Sequence, residues 1–316
     1  MMTVSTAIAP TSTSTATEPQ TARADLRRAF TGVWVPLVTP FRDGALDVAA
    51  LEKLVLMLLR QGVDGFVVCG TTGEAATQSE SEQLTQLRLV RALAGNVPVI
   101  MGVSGADTYS MSRWIERIEA HGASGLLISP PQYVRPSQEG IRLHYEALAA
   151  ATSLPIVLYN IPYRTGVNME LPTIKALAAN PQFVAIKESG GGNLAQLSGL
   201  IEQTPLRVLS GEDHLLFVSA CMGGHGGITA AAHIRPDLHR RMLAHVAAGN
   251  LPAARQLASA LSPLISLLFS EPNPGPLKAA LEIMGVMRNE LRLPMTPVSP
   301  ALYRQLEDTL PAILGL

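Results

Sequence analysis

The sequence is poor in cysteine, since its 316 residues include only Cys69 and Cys221. Two cysteines are too few for a disulfide framework, so we expect both thiols to be reduced and buried and the protein to be cytoplasmic. Long apolar runs are also missing, because no stretch approaches the roughly 20 residues that a membrane helix needs. The chain is therefore predicted to be globular, with one large domain and an appendage.

An excess of charge of one sign is lacking as well. The 24 Lys and Arg residues nearly balance the 25 Asp and Glu residues, for a formal net charge of -1. This balance leaves no electrostatic footprint for a nucleic acid or an acidic membrane. The seven histidines are scattered, with no His-Glu-x-x-His pair and no Cys/His cluster at ligand spacing. We therefore expect small-molecule partners and no metal.

The first 28 residues are rich in Ser, Thr, Ala and Pro. They lack a positively charged start followed by an apolar core, which argues against a secretory signal. Their composition resembles a transit peptide weakly, but a disordered tail is the preferred interpretation. We therefore divide the chain into a tail at 1–28, a large domain at 29–250 and a helical region at 251–316.

Apolar, strand-like segments alternate with amphipathic helical segments from Gly32 onward, about once every thirty residues. Eight such units without a compositional break predict a closed parallel (β/α)8 barrel. An open doubly wound sheet is the alternative, but it would usually show a glycine-rich nucleotide loop where Thr39-Pro40-Phe41 stands. The strands are predicted at 33–38, 66–69, 97–101, 126–129, 156–159, a sixth ending at Lys187, 207–209 and 228–230.

One lysine, Lys187, ends the sixth apolar strand, just before Glu188 and three glycines. A lysine in apolar surroundings lowers its pKa, and the neutral amine can then attack a carbonyl to form a Schiff base. The plainer alternative is a strand-end lysine that reaches solvent or pairs with Glu188. The residues on the neighbouring strands are needed to distinguish a nucleophilic Lys187 from a structural one.

Other polar side chains follow the carboxyl ends of the predicted strands, which is the end where (β/α)8 barrels place their sites. Tyr159 belongs to the strand beside Lys187, so its phenol can shuttle protons during imine chemistry. Arg164 and the amides of the loop at 70–73 suit carboxylates. A 2-oxo acid is therefore the predicted first substrate, although each residue taken singly could also be a turn or rim residue. The full set is Thr71, Thr72, Tyr133, Tyr159, Arg164 and Lys187.

Five separate segments resemble the dihydrodipicolinate synthase / N-acetylneuraminate lyase family of class I aldolases, and the resemblance covers the chain from about Gly32 to its C-terminus. The segments are Gly70-Thr71-Thr72-Gly73-Glu74, Tyr159-Asn160-Ile161-Pro162-Tyr163-Arg164-Thr165-Gly166, Ile186-Lys187-Glu188, Glu271-Pro272-Asn273-Pro274 and Arg292-Leu293-Pro294-Met295-Thr296-Pro297.

The resemblance implies condensation of pyruvate with L-aspartate 4-semialdehyde to 4-hydroxy-tetrahydrodipicolinate, on the path to diaminopimelate and lysine. Lys187 would form the imine, so no separate cofactor is expected. The proton relay would consist of Tyr159, Thr71 and Tyr133. In the family the tyrosine that matches Tyr133 comes from a neighbouring subunit, which implies a homodimer or homotetramer. Substrate contacts are expected from Thr72, Arg164, Gly211 and Ile228.

The sequence also departs from the family's pattern. The usual Gly-Asp-Asp after the seventh strand reads Gly211-Glu212-Asp213, which could change the second substrate. Members that lysine inhibits carry His, Asn, Glu and Tyr in an interface pocket, whereas little of that chemistry remains here. We therefore predict weak or absent feedback; strong inhibition in a millimolar lysine titration would refute this. The matching positions are Glu80, Gln83, Ala106, Ser110 and Gln132.

Three other functions remain open from the sequence. A related aldolase or dehydratase could use a sugar acid in place of the semialdehyde. The glycine-rich segment 223–227 could indicate a phosphate site, since barrel phosphate sites lie near strands seven and eight. No Lys or Arg accompanies that segment before Arg235, so close packing is the preferred explanation of its glycines. A catalytically dead barrel would be expected to lose Lys187 or Tyr159, and both are present.

Overall fold

The computed structural model describes residues 27–316, so the predicted N-terminal tail lies outside the described residues except for its last two positions. Eight parallel strands form a closed barrel in the order β1-β8-β7-β6-β5-β4-β3-β2. Their bounds are β1 Gly32–Pro36, β2 Gly65–Val68, β3 Val99–Val103, β4 Gly125–Ile128, β5 Ile156–Asn160, β6 Phe183–Glu188, β7 Arg207–Ser210 and β8 Gly226–Ile228.

The first strand closes the barrel. Trp34 on β1 is opposite Ile228 on β8 and also opposite Gly65 on β2. Because the first and last strands pair directly, the sheet has no open edge. The predicted barrel is therefore confirmed, and the doubly wound alternative is wrong.

Helices follow the strands and form the outer layer, and three more complete the C-terminal region. A two-stranded hairpin, Phe41–Arg42 with Ala45–Leu46, follows β1. The helices are α1 Val48–Gln61, α2 Glu80–Ala94, α3 Thr108–Glu119, α4 Gln138–Ala150, α5 Leu171–Ala178, α6 Leu194–Gln203, α7 Leu216–Cys221, α8 Pro236–Ala247, α9 Leu251–Leu268, α10 Gly275–Ile283 and α11 Pro300–Leu314.

Local capping sequences set several helix starts. Before α2, the Ser79 side chain accepts a hydrogen bond from the Glu82 amide, while the Glu82 carboxylate accepts one from the Ser79 amide. Ser137 caps α4 through the Gly140 amide. These contacts satisfy amides that the first helical turn leaves unpaired. The two serines therefore fix where α2 and α4 begin.

Two apolar layers hold the barrel together. One fills the barrel interior and includes Trp34, Ile100 and Val157; the other lies between strands and helices. The large Trp34 ring fits inside because its neighbour across the strands is Gly65, where a Cβ would lie only 2.3 Å from a ring carbon. Burial of the strands on both faces explains why they read as continuous apolar runs.

The eighth strand was predicted two residues too late. It occupies Gly226–Ile228, so two glycines that were expected to precede the strand belong to it. A Cβ at Gly226 would lie 2.1 Å from the Gly32 carbonyl oxygen. The glycines therefore allow the last strand to pack closely against the first, as proposed, but they hide the strand from a pattern based on apolar side chains.

Other details of the sequence interpretation need correction. Helices α6 and α7 were expected only as parts of the eight repeated units, without bounds, and a single helical turn at Pro162–Thr165 was not predicted. Cys69 is buried, but Cys221 is exposed because it ends the short helix α7 at the surface. None of the helices within residues 27–316 is both long and apolar enough to cross a membrane. The division at residue 250 stays a proposal.

Candidate active site

Lys187 and Tyr159 form the centre of the site. They lie on neighbouring strands β6 and β5 and are opposite each other in the parallel register, so their side chains share one level of the barrel. The Lys187 Nζ atom is 3.3 Å from the Tyr159 hydroxyl oxygen and 4.3 Å from the centre of its ring. Lys187 is only 7% exposed. The predicted pair of amine and phenol is therefore in contact.

Burial sets the charge of the amine. It lowers the pKa of Lys187 to about 8, and the negative charge of Asp213 partly opposes this shift. With that pKa, roughly a tenth of the amine is neutral at pH 7, whereas an ordinary lysine has a neutral fraction below a thousandth. A buried amine with a substantial neutral fraction can act as a nucleophile.

Asp213 also lines the pocket of Lys187, and the sequence analysis did not include it among the site residues. It follows β7 and is buried, where its carboxylate accepts hydrogen bonds from the amides of Ala230 (3.1 Å) and Ala231 (2.6 Å). Burial raises its pKa to about 6. Its position after a strand's carboxyl end was the available signal, but the Gly211-Glu212-Asp213 segment was interpreted only in terms of the second substrate.

The Tyr159 phenol is held in its protonated form. Burial raises its pKa to about 12, and the positive charge of Arg164 opposes that shift only in part. A protonated phenol beside an amine can donate a proton and take it back. Tyr159 and Thr71 line the same small pocket as Lys187, which is where a proton relay would have to lie.

Glu188 does not neutralise Lys187. Successive residues of a strand point to opposite faces, so Lys187 faces the barrel interior and Glu188 the helix layer. There the Glu188 carboxylate accepts hydrogen bonds from the side-chain amides of Asn160 (3.0 Å) and Gln196 (3.4 Å). Burial raises its pKa to about 7. The plainer interpretation of Lys187, as the ion-pair partner of Glu188, is wrong.

A cleft of about 320 Å³ opens at the carboxyl ends of the strands. A smaller pocket of about 30 Å³ continues from it to Lys187, and Tyr159, Thr71 and Arg164 line both. Thr72, Gly211 and Ile228 line the smaller pocket. The structure thus brings together seven of the eight predicted site residues, namely Lys187, Tyr159, Thr71, Thr72, Arg164, Gly211 and Ile228.

Tyr133 is the exception. It is 93% exposed and has a positive φ of 71°. Its neighbour Gln132 lines the cleft, but Tyr133 does not. Since Tyr133 is absent from the lining of both the cleft and the lysine pocket, a single chain does not assemble the complete predicted relay.

Gly211 makes space for the lysine. A Cβ at this position would lie 2.8 Å from Lys187 Cε and 2.0 Å from the Ser189 hydroxyl oxygen. Any larger residue would displace the amine or the β6 loop. A glycine is therefore required here by packing, whatever contact its backbone makes with a ligand.

The C-terminal region also reaches the site. The side-chain amide of Asn273 donates a hydrogen bond of 3.0 Å to the Thr72 hydroxyl, and Asn273 lines both parts of the cleft. The Glu271-Pro272-Asn273-Pro274 segment is one of those that carry the family resemblance, but no role was predicted for it. The contact shows that residues after the barrel position the loop that follows β2.

Fold and site together define the class: a (β/α)8-barrel enzyme with a buried lysine and a tyrosine at the carboxyl ends of adjacent strands. The model of the Dihydrodipicolinate synthetase family matches residues 29–313. The chain therefore belongs to that family, as the sequence motifs indicated.

Individual relatives agree with this assignment. The chain is 40% identical over 288 residues to the 4-hydroxy-tetrahydrodipicolinate synthase of Maridesulfovibrio salexigens, a match that covers 90% of this chain and 98% of the relative. The Thermotoga maritima dihydrodipicolinate synthase structure superposes with a TM-score of 0.88 at 36% identity, covering 91% of this chain and all of the other. The structure of the Acinetobacter baumannii dihydrodipicolinate synthase, solved in complex with pyruvate, superposes with a TM-score of 0.86 at 34% identity. This match covers 90% of this chain and 98% of the other.

Proposed function

We propose that the protein condenses pyruvate with L-aspartate 4-semialdehyde to give 4-hydroxy-tetrahydrodipicolinate, through an imine on Lys187. The observation that carries the proposal is the buried Lys187 amine, with a pKa of about 8, at 3.3 Å from the Tyr159 hydroxyl. Relatives that carry the synthase name match this chain over nine tenths of its length, and one neighbouring structure is named as a complex with pyruvate.

Pyruvate would bind with its carboxylate against the loop that follows β2. In this turn the amides of Gly73 and Glu74 donate to the carbonyls of Gly70 and Thr71. The Thr71 and Thr72 amides take no part in those turn hydrogen bonds, and both hydroxyls line the pocket of Lys187. Since Thr72 accepts a hydrogen bond from Asn273, its own hydroxyl proton is directed to another acceptor, such as the carboxylate.

The neutral Lys187 amine would attack the keto carbon of pyruvate and form a C–N bond. Tyr159 would protonate the oxygen of the resulting carbinolamine, which leaves as water to give the imine. The Tyr159 phenolate left by that step then takes a proton from the methyl carbon, which converts the imine into an enamine. The enamine carbon bonds to the aldehyde carbon of the second substrate, and the aldehyde oxygen takes the proton from Tyr159 to become the hydroxyl group. The amino group of that substrate attacks the regenerated imine carbon, closes the ring and releases the lysine.

Arg164 would bind the carboxylate of the semialdehyde. It lines the outer cleft and the lysine pocket, and its guanidinium carbon lies 5.4 Å from the centre of the Tyr163 ring. Stacking on an aromatic ring restrains a guanidinium without using its hydrogen-bond donors. An arginine held in this way can bind a carboxylate with two parallel hydrogen bonds.

Tyr133 would complete the relay from a second subunit, which makes the working protein a homodimer or homotetramer. The 93% exposure of Tyr133 supports this proposal, because a tyrosine so placed can insert into a neighbouring site. Tyr109 and Val134, two further exposed apolar side chains, are consistent with a surface that is covered in an assembly.

A two-substrate assay tests the proposed function. Purified protein with pyruvate should consume L-aspartate 4-semialdehyde. The reaction is measured by coupling it to a reductase that is specific for the cyclised product. A keto-deoxy sugar acid, tested for cleavage to pyruvate or for dehydration, should give at least tenfold lower kcat/KM. Preference for the sugar acid would overturn the choice of second substrate while leaving the imine chemistry intact. A cytoplasmic location stays a prediction.

A further inference from the structure

A second cavity lies among helices α7, α8 and α9, outside the barrel mouth. Its volume is about 510 Å³, larger than the catalytic cleft. Cavities of roughly 300–1,000 Å³ accommodate small organic ligands. The reaction proposed above uses none of the residues that line this cavity, although one of them, Asp213, also lines the lysine pocket.

The cavity has an apolar floor. Buried side chains from three helices form it: Leu216, Met242, Leu261 and Ile265. Two buried polar side chains also line the cavity, Asp213 and His239 of α8, and His239 is only 1% exposed. A ligand that enters would therefore place an apolar body against this floor, close to these two polar groups.

The His239 ring offers a hydrogen-bond acceptor that the protein leaves unused. Its Nδ1 atom is 2.8 Å from the Arg235 carbonyl oxygen, so Nδ1 carries the proton. Burial lowers the pKa of His239, and Nε2 of the neutral ring therefore has a lone pair. No residue within 27–316 forms a hydrogen bond with this buried Nε2 atom. A buried acceptor without a partner is unfavourable, and a ligand that donates a hydrogen bond would satisfy it.

One of the residues that line the cavity is a cation. Arg255, in the second turn of α9, lines the cavity and is exposed. Among the described residues it makes no ion pair or hydrogen bond. Serine side chains at Ser259, Ser262 and Ser266 follow along the same helix and also line the cavity. This rim suits an anionic group that remains partly in water.

We propose that this cavity is a second small-molecule site, which binds a carboxylic acid with an apolar body and a hydroxyl or ammonium group. The carboxylate would meet Arg255, the apolar body would cover the floor, and the hydroxyl or ammonium would donate to His239 Nε2. Because Asp213 lines both cavities, the ligand would lie next to a residue whose charge acts on Lys187.

Two matched probes test the site by calorimetric titration of the full chain. L-3-phenyllactate has the carboxylate, the apolar body and the hydroxyl donor, while 3-phenylpropionate lacks only the hydroxyl. One hydrogen bond worth about 0.5–1.5 kcal/mol corresponds to roughly 3- to 10-fold in affinity. We expect phenyllactate to bind more tightly by that factor. Equal affinities of the two probes would overturn the proposal. So would the absence of binding of either probe at about 10 mM, a concentration high enough to detect even weak binding.

Variants separate this site from the catalytic cleft. His239→Leu should remove the difference between the probes and leave phenylpropionate binding in place. Arg255→Gln, at an exposed position where folding is not at risk, should weaken both probes about equally. Arg304→Gln, an exposed arginine on α11 that does not line the cavity, is the matched control and should change neither affinity. Binding that is unaffected by the first two variants would show that the probes occupy another site and contradict the proposal.

Discussion

Two buried lysines of this protein have opposite environments. Lys278 on α10 is fully buried, forms an ion pair with Glu74 and donates a hydrogen bond of 2.7 Å to the Glu290 carbonyl oxygen. Lys187 is almost as deeply buried, but its near partner is the Tyr159 phenol, and no carboxylate of the described residues lies within ion-pair distance. Burial lowers the pKa of both amines, and for Lys278 the adjacent Glu74 opposes the shift.

The difference shows what the protein does with a buried amine. A carboxylate in contact keeps the charge on Lys278 and makes it a structural link between α10 and Glu74, beside the loop that carries Thr71 and Thr72. A phenol in contact leaves the amine of Lys187 free to lose its proton. The type of partner, rather than the depth of burial, therefore separates a nucleophile from a structural lysine.

The largest expected effect is that of Lys187→Met on catalysis. Without the amine no imine forms, so kcat/KM should fall by on the order of 10⁴-fold or more. The fall is measured in the two-substrate assay. Lys175→Met, at an exposed lysine of α5, is the control and should keep full activity. Substantial turnover by the Lys187 variant would exclude the proposed nucleophile.

The same Lys187 variant should not be less stable. Its folded pKa of about 8 lies below the ordinary value of 10.5, so the unfolded chain binds the proton more tightly. The lowered pKa therefore reduces the free energy of unfolding. This reduction is fully present below pH 8 and disappears as the pH rises towards 10.5. At pH 7 we expect Lys187→Met to raise the free energy of unfolding by about 1–3 kcal/mol, with a smaller gain at pH 10. Urea titration at both pH values measures it, and a loss of stability at pH 7 would contradict the description of Lys187 as an unpaired amine.

Lys278→Met should have the reverse effect. It leaves Glu74 buried without its cation, and breaking such a pair costs about 3–5 kcal/mol of stability. Chemical denaturation measures the change, while pyruvate imine formation should persist in the protein that remains folded. Adding Glu74→Leu to the variant should restore much of the lost stability, because both charges are then gone. A single variant as stable as the original would show that the pair is not structurally important.

Tyr159→Phe tests the partner that distinguishes Lys187. Loss of a proton shuttle should lower kcat on the order of 10²-fold, because general acid and base groups contribute about 10²–10⁴-fold. The amine remains, so borohydride should still trap pyruvate on Lys187, although more slowly. Complete loss of trapping would mean that the phenol is needed for more than proton transfer.

Asp213→Asn gives the smallest effect and the most specific one. The Asp213 carboxylate raises the pKa of Lys187, so its neutralisation should lower that pKa further. The rise in the rate of imine formation, which we expect near pH 8 in the original protein, should then move to lower pH. Stopped-flow measurements of pyruvate binding between pH 6 and 9 show the direction. A shift to higher pH would reverse the sign that this electrostatic description requires.

The barrel was predictable because its signals are local. Strands buried on both faces read as apolar runs, and caps such as Ser79 with Glu82 mark where helices begin. Lys187 and Tyr159 could be placed together because neighbouring parallel strands end at the same edge of the barrel. The order of the elements and the centre of the site therefore followed from short segments of sequence.

The features that were missed depend on contacts between distant segments. Glycines of β8 carry no side-chain pattern, and their role becomes visible only against β1. Asp213 acts on Lys187 because the amides of Ala230 and Ala231 hold it in the barrel interior. Asn273 reaches Thr72 across two hundred residues of sequence. None of these contacts is encoded by spacing within a single element.

The most direct test of the account is borohydride reduction of the protein with pyruvate, followed by peptide mass spectrometry. The amine of Lys187 should carry a pyruvate-derived adduct, and the peptide that contains Lys278 should carry none, although that lysine is buried as deeply. An adduct on Lys278, an adduct on exposed lysines only, or no adduct at all would contradict the claim that the partner of a buried amine decides its chemistry.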